Sequence, residues 1–493
     1  MATSLRISGF TFEEMVDNTV DGPKFEGQQL QKYQYPNAEK TLSDTVNSLA
    51  TEDFQHPPLY FVLLRLWVKL WGPSLTSLRS LSALFSILIL PAAFWLCREL
   101  FRSPAVGWVA MALIAVSPVQ VIYAQEARQY SLWMLLTLVS SAVLLRALRL
   151  GGQGRWGLYS LSLALGLYTH LFFTLIALGH GLHILFVEGF KLTHRLRSYL
   201  LASVLALVAY SPWIAVILAR ATDPSGVSWM DESSSLTQFS IRLLGVLSRT
   251  FVDFGAGPAA PAYIKLLAAP FILFGLGVSL AAFYALIRQT TFRIWFWLVT
   301  LTGTTGTAIL LSYLILGKQM ATTRLMLPVT LGLHLTVAYF LVQLQTSQFG
   351  HGRRLSRGIG ATLLSIGILS CVLRLNTPVW WNQLPDINED TPAIAKLINR
   401  QDEPLIILDT TTGITKNLVT LQSLLHFVEA DVDVRVVDRK IPAEIARARH
   451  QDIFIYIPVD SHIESQAELQ IALAEKYDAK LEPVYDSLWR IAL

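Results

Sequence analysis

The sequence predicts a polytopic α-helical membrane protein of about ten spans that ends in a small α/β domain. Three observations predict it. Of 493 residues, 53% are apolar and only 15% charged, against roughly 25% charged in soluble domains. Mean hydropathy is +0.46, and the apolar residues come in long runs. The charges are also unevenly placed. Residues 57–391 hold 24 Lys/Arg but only 10 Asp/Glu, whereas 1–56 hold 4 and 9, and 392–493 hold 11 and 16. A cytosolic globule, a disordered chain and a coiled coil are excluded. So is a nucleic-acid partner, because no basic cluster stands on a soluble segment.

Residues 1–75 read as a polar segment on the outer membrane face. Within it, PPLYFVLLRLWVKLW (57–71) is apolar but too short to span, and it carries Arg65 and Lys69. It reads as an interfacial helix, with Tyr60, Trp67 and Trp71 at headgroup level.

A crossing needs about 20 apolar residues. Such runs lie near 77–97, 105–124, 129–148, 156–171, 172–187, 199–219, 263–287, 294–316, 325–344 and 358–375, defining a membrane domain over 76–376. Residues 156–187 could form one long helix, but Tyr168-Thr169-His170 offers a polar break that makes two spans of them. The links alternate in charge. Arg98/Arg102, Arg146/Arg149/Arg155, Lys191/Arg195/Arg197, Arg288/Arg293 and Arg353/Arg354/Arg357 occupy every second link. The positive-inside rule places these in the cytoplasm. The 123–130 turn, the 220–262 loop, the 317–324 turn and the C-terminal domain then lie outside. The protein is thus expected to be multi-pass in a cell membrane, with residues 392–493 extracytoplasmic. The polar N-terminal segment has no leader in this chain to export it. The topology therefore predicts a membrane helix upstream.

Residues 392–493 alternate strand and helix signals: PLIILD (404–409), a helix near 414–428, VDVRVVD (432–438), DIFIYIPV (452–459), and a helix bearing Glu464, Glu468 and Glu475. That is a small α/β domain. It shows no phosphate-binding glycine motif. Cys97 and Cys371 lie far apart and form no metal or disulfide framework. No cofactor is evident, and no metal-ligand spacing is present.

Chemistry is sought where ionisable groups enter the apolar region, because each costs several kcal/mol there. Glu99 and Glu188 lie beside cations at cytoplasmic ends. Glu126 differs. It sits on the outer side in Tyr123-Ala-Gln125-Glu126-Ala-Arg128-Gln-Tyr130. An acid near a helix N-terminus is ordinary, so site and cap weigh about equally. His56-Pro57-Pro58 is a second cluster, and a helix start explains its prolines equally well. Lys318 and Arg324 in GKQMATTR, with Arg79 and Arg128, are outer-side cations. They suit an anionic phosphate or snorkelling to lipid. His170, in the YTH stretch, faces outward too and reads better as a satisfied polar residue.

HPPLYFVLLRLWVKLWG, RSLSALFSI, SPVQVIYAQEARQYSLW, the YTH pair and GKQMATTRLMLP together resemble the integral-membrane GT-C glycosyltransferases. The similarity is to their family 39-like, dolichyl-phosphate-mannose-protein-mannosyltransferase-like branch in bacterial form, over roughly residues 10–376. The resemblance implies transfer of a hexose or pentose from a polyprenyl-phosphate donor, with inversion, on the outer face of a bacterial inner membrane. The acceptor would be a lipid, glycan or protein hydroxyl. His56, Arg79, Tyr123, Gln125, Arg128, Tyr130, His170, Lys318 and Arg324 become substrate-binding candidates. Family members also carry an Asp-Glu pair in the first outer loop, after a first membrane helix. This chain starts after that point, so impaired activity is expected. Glu126, Glu14 and Asp17 are the candidate catalytic carboxylates, although Thr11 and Glu14 also fit a helix-capping pair. Two other classes compete: a lipid or polysaccharide transporter, and a non-catalytic membrane scaffold.

Overall fold

The computed structural model describes residues 2–22, 25–220, 235–257, 260–317, 320–346, 350–377, 390–401, 403–410, 413–429, 432–437, 452–456, 480–485 and 488–492. The expected helix at Glu464–Glu475 and the candidate Lys318 lie outside these. The chain forms two compact units: Met1–Ser48 with Phe61–Leu78 and Thr377–Leu493, and Leu49–Tyr60 with Arg79–Asn376.

The first unit is built on a six-stranded mixed sheet in the order β1-β3-β2-β4-β6-β5. The strands are β1 (Phe25–Glu26), β2 (Leu405–Asp409), β3 (Asp433–Val437), β4 (Ile453–Tyr456), β5 (Lys480–Tyr485) and β6 (Leu488–Ala492). The centre is parallel: β2 pairs with β3 in the register Leu405↔Asp433 and with β4 in the register Leu405↔Ile453. Parallel strands are covered on both faces, which is why β2 and β4 read as unbroken apolar runs. β5 and β6 form an antiparallel hairpin against β4.

The N-terminal segment joins this unit. β1 pairs antiparallel with β3, and Val20 bridges to Val436. The otherwise open edge of β3 is thereby covered. Leu5, Phe10, Met15, Leu30 and Tyr33 share one core with Ile406, Leu418, Leu421, Val434, Val436 and Phe454. Residues expected to be a loop separate from the α/β domain are part of its core.

The Leu59–Trp71 helix forms where 57–71 was expected, but Arg65 is fully buried. Its guanidinium donates to the Ile7 and Lys40 carbonyls and to Thr45 Oγ1. A cation this deep is tolerated because those oxygens replace its water. The opposite edge leaves Leu66, Leu70 and Trp71 exposed.

The second unit is helical. Seven described helices are long and apolar enough to cross a membrane, among them Leu75–Phe101, Tyr130–Leu150, His194–Ala219 and Leu327–Thr346. An eighth crossing would be Pro104–Ala115 with Pro118–Ala124, bent by 65°. The bend falls before Pro118, where a missing N–H and a constrained preceding residue interrupt the ladder. The expected pair at 156–171 and 172–187 is shorter than predicted. It forms as Gln153–Leu167 and Phe173–Val187, 15 residues each. The break over 168–172 is tight. A Cβ on Gly166 would lie 2.3 Å from the Phe173 ring, so only glycine allows this approach.

Candidate functional site

The site is assembled around the 123–130 turn of the second unit. The Pro118–Ala124 helix ends as Gln125 N–H donates to Ile122 O. Arg128 N–H then donates to Glu126 O at 2.7 Å. The helix resumes at Tyr130. Ser131 Oγ donates to Tyr123 O at 2.9 Å and closes the turn. Tyr123 and Tyr130, both buried, meet edge to face at 5.1 Å. From outside, Ser82 Oγ donates to Arg128 O at 3.3 Å and pairs with buried Tyr60 OH at 2.7 Å.

Glu126 lies in this turn with Oε1 at 3.8 Å from Arg128 Nε. Oε2 is buried without a hydrogen-bond partner among the described residues. Burial pushes its carboxyl pKa up, against the pull of Arg128 and Arg324. Arg128 is the reverse case. Burial works against its charge, but Tyr130, Glu126 and Asp53 outweigh it and hold the guanidinium protonated. Gln129 is fully buried, and both its amide atoms also lack described partners.

His170 occupies the break at 168–172. It stacks on Trp133 at 4.1 Å and 6°, and Tyr130 is 6.1 Å away. Its Nδ1 accepts from Phe172 N–H at 3.1 Å. Burial first, then the charges of His56 and Arg324, push the imidazole down to about 3, so it stays neutral. Arg324 lies in the turn before the Leu327–Thr346 helix, and its charge reaches Glu126, Tyr123, Tyr130 and His170.

The HPP stretch completes the group. His56 Nδ1 is 2.5 Å from Asp53 Oδ1. Both prolines are buried. Leu59 N–H donates to Tyr168 O at 3.0 Å, and Trp213 Nε1 donates to Phe54 O at 3.2 Å.

Of the sequence candidates, His56, Tyr123, Glu126, Arg128, Tyr130, His170 and Arg324 are brought within electrostatic or ring contact of one another. Gln125 caps the turn that holds them. Arg79 is exposed in the first turn of Leu75–Phe101, and its charge is felt at Arg374. Glu14 and Asp17 belong to the other unit. Glu14 caps its helix through Thr11 and pairs with Lys40 Nζ at 2.5 Å; Asp17 is exposed.

Two residues were missed in the sequence. Arg249 donates to Thr323 Oγ1 at 3.4 Å, and its charge reaches Tyr123. It sat unremarked in a long loop. Asp53 had a signal: it stands three residues before His56. Among the described residues, no group of three or more His, Cys, Asp or Glu is arranged to hold a metal.

This bent, short-helix architecture with an appended sheet matches known structures. The chain is a multi-helix membrane protein that shares the fold of ArnT. Its likeness to ArnT from Cupriavidus metallidurans bound to undecaprenyl phosphate has a TM-score of 0.53 at 14% identity, covering 89% of this chain and 88% of that one. For the apo state of ArnT the TM-score is 0.52 at 14% identity, covering 99% and 96%. Residues 55–215 match the family described as dolichyl-phosphate-mannose-protein mannosyltransferase. No curated protein matches the chain. The matched segment contains the HPP turn, the 123–130 turn and the break at 168–172.

Proposed function

We propose that this protein is a glycosyltransferase that moves a sugar from a polyprenyl-phosphate donor to an acceptor hydroxyl on the extracytoplasmic side of a bacterial inner membrane. One observation carries the reading. The charges of Arg128 and Arg324 converge on one half-buried turn that also holds a carboxylate oxygen unpartnered among the described residues, and Arg249 reaches the same turn through Tyr123. Fixed cations lower the cost of a departing phosphate, whose charge grows as the C1–O bond breaks. Arg324 and Arg249 receive the donor phosphate, with Lys318 as a further cation on the same segment. Glu126 Oε2 and Gln129 accept and donate hydrogen bonds to sugar hydroxyls, which relieves their burial. The acceptor is a lipid, glycan or protein. The α/β domain, extracytoplasmic in this topology, serves as a contact for it. Two comparisons support the reading: the mannosyltransferase family match over the site segment, and a fold shared with ArnT bound to undecaprenyl phosphate.

The test is binding of undecaprenyl phosphate to the purified chain. Arg324→Ala should weaken it about 10–100-fold, the value of a charge-assisted hydrogen bond. A wild-type chain that does not bind undecaprenyl phosphate removes the reading.

A further inference from the structure

From the geometry of the HPP turn we propose that His56 is the proton acceptor for the incoming hydroxyl, with Asp53 as its positioning residue. The assignment rests on the glycosyl-transfer reading above and goes beyond it by naming the base.

A carboxylate can only accept hydrogen bonds. At 2.5 Å from Asp53 Oδ1, His56 Nδ1 is therefore the donor. That fixes the tautomer and leaves the lone pair of the imidazole on Nε2. A base held by a third group in this way is the recurrent arrangement for activating a hydroxyl. Asp53 is itself fixed, because Gln55 Nε2 donates to the same oxygen at 3.5 Å and His56 N–H donates to Asp53 O at 2.9 Å.

The turn is rigid for a stated reason. Pro57 and Pro58 restrict its backbone. Trp213 Nε1 holds Phe54 O on one side of the pair, and Tyr168 O holds Leu59 N–H on the other. A general base has to be placed within a fraction of an ångström, and this clamp supplies the placement. The pair also belongs to the cluster: the charge of His56 reaches His170, and that of Asp53 reaches Arg128.

Glu126 is the competing base. Its side chain is 26% exposed, but Oε2 is buried without a hydrogen-bond partner among the described residues, and Arg128 Nε stands 3.8 Å from Oε1. Among the described residues nothing hydrogen-bonds Oε2 to orient it, whereas Asp53 orients His56. The His56 side chain is comparably open at 21% exposure, so an acceptor can reach it and the proton can leave to water, and the Asp53 carboxylate, 13% exposed, holds its Nδ1.

In the step, the acceptor O–H proton passes to His56 Nε2. The acceptor oxygen forms a bond to sugar C1. The C1–O bond to phosphate breaks, and its electron pair leaves on the polyprenyl phosphate, facing Arg324 and Arg249. His56 then returns its proton to solvent.

The experiment uses the whole purified chain in detergent, with undecaprenyl phosphate for binding and undecaprenyl-phosphate-linked hexoses for transfer. His56→Gln should leave the Kd for undecaprenyl phosphate within about twofold and lower kcat about 10²-fold or more. Asp53→Asn should lower kcat by about tenfold or more and shift the His56 ¹⁵N signals away from the Nδ1–H tautomer. That shift is a readout that lost folding would not mimic. Unchanged kcat in His56→Gln, a Kd that rises in step with lost activity, or an unchanged tautomer in Asp53→Asn would each overturn the assignment alone. A wild-type chain that binds undecaprenyl phosphate but transfers from no such hexose overturns the glycosyl-transfer reading and this one with it.

Discussion

Glu14 and Glu126 each lie beside a cation, yet their surroundings are opposite. Glu14 Oε2 accepts Thr11 N–H at 2.9 Å, and Oε1 pairs with Lys40 at 2.5 Å. Burial alone would raise its pKa, but Lys40 and Thr11 together hold it below the usual value. Among the described residues Glu126 has no such hydrogen-bond partner on Oε2. Its cation stands off at 3.8 Å, one oxygen is buried and unpaired, and burial raises its pKa. A satisfied carboxylate supports the fold in the form in which it is found. An unsatisfied buried one costs stability, and such a cost is commonly retained where a ligand repays it. Both residues were candidate bases by composition. Their hydrogen bonds separate them.

The largest test of this contrast is paired substitution. Glu126→Gln should lower transfer from an undecaprenyl-phosphate-linked hexose about 10²-fold, the scale of one lost electrostatic contact in a transition state. Its folded pKa is raised, so the ionised form weakens the fold as pH rises through that pKa. Removing the charge should therefore raise Tm, or leave it unchanged, at pH 7.5. Glu14→Gln should leave transfer as in the wild type. Unimpaired transfer in Glu126→Gln, or a sharp fall in its Tm, would erase the distinction.

His170 stands between the two cases, with Nδ1 committed to Phe172 N–H and the ring stacked on Trp133. Its pKa is pushed down to about 3, against about 6.5 unfolded. A depressed value means that the fold excludes the proton. The stability this group contributes is present above about 6.5 and is lost as pH falls toward 3. His170→Phe keeps a ring against Trp133 but orphans the Phe172 N–H, costing about 1–3 kcal/mol at neutral pH. Its Tm should then fall less steeply than that of the wild type between pH 6.5 and 4. Parallel Tm curves would show that His170 carries no such linkage.

Local patterns announced much of this architecture. The parallel strands were visible as apolar runs, since burial on both faces removes alternation. The break at Tyr168–His170 was visible in residue type, whereas the bend at Ser117-Pro118 falls inside a run expected to be one span, 105–124. What stayed hidden depends on contacts between distant segments. β1 has two residues, too few for any periodicity, and only its pairing with β3 makes it a strand. Arg65 read as a charge on an interfacial helix because nothing local shows that the Ile7 and Lys40 carbonyls await it. In the site, the Asp53–His56 pair is local, three residues apart, and its spacing is legible in the sequence. Arg249 carried no local mark at all, because only the packing of its helix end against Thr323 puts it near Tyr123.

The smallest effect lies at the satisfied carboxylate. Glu14→Gln removes the ionic half of the Lys40 pair and weakens the acceptor for Thr11 N–H, while the Thr11 side chain still accepts Glu14 N–H at 3.0 Å. The Glu14 side chain is 41% exposed, so solvent screens most of the pair and the loss should stay under about 1 kcal/mol. Because its folded pKa is lowered, this contribution exists above the unfolded value of about 4.3 and disappears as pH falls through the folded one. Wild-type and Glu14→Gln Tm values should therefore differ at pH 7 and converge near pH 3. A difference that persists at pH 3 would mean that the helix start, and not the charge, is what Glu14 supplies.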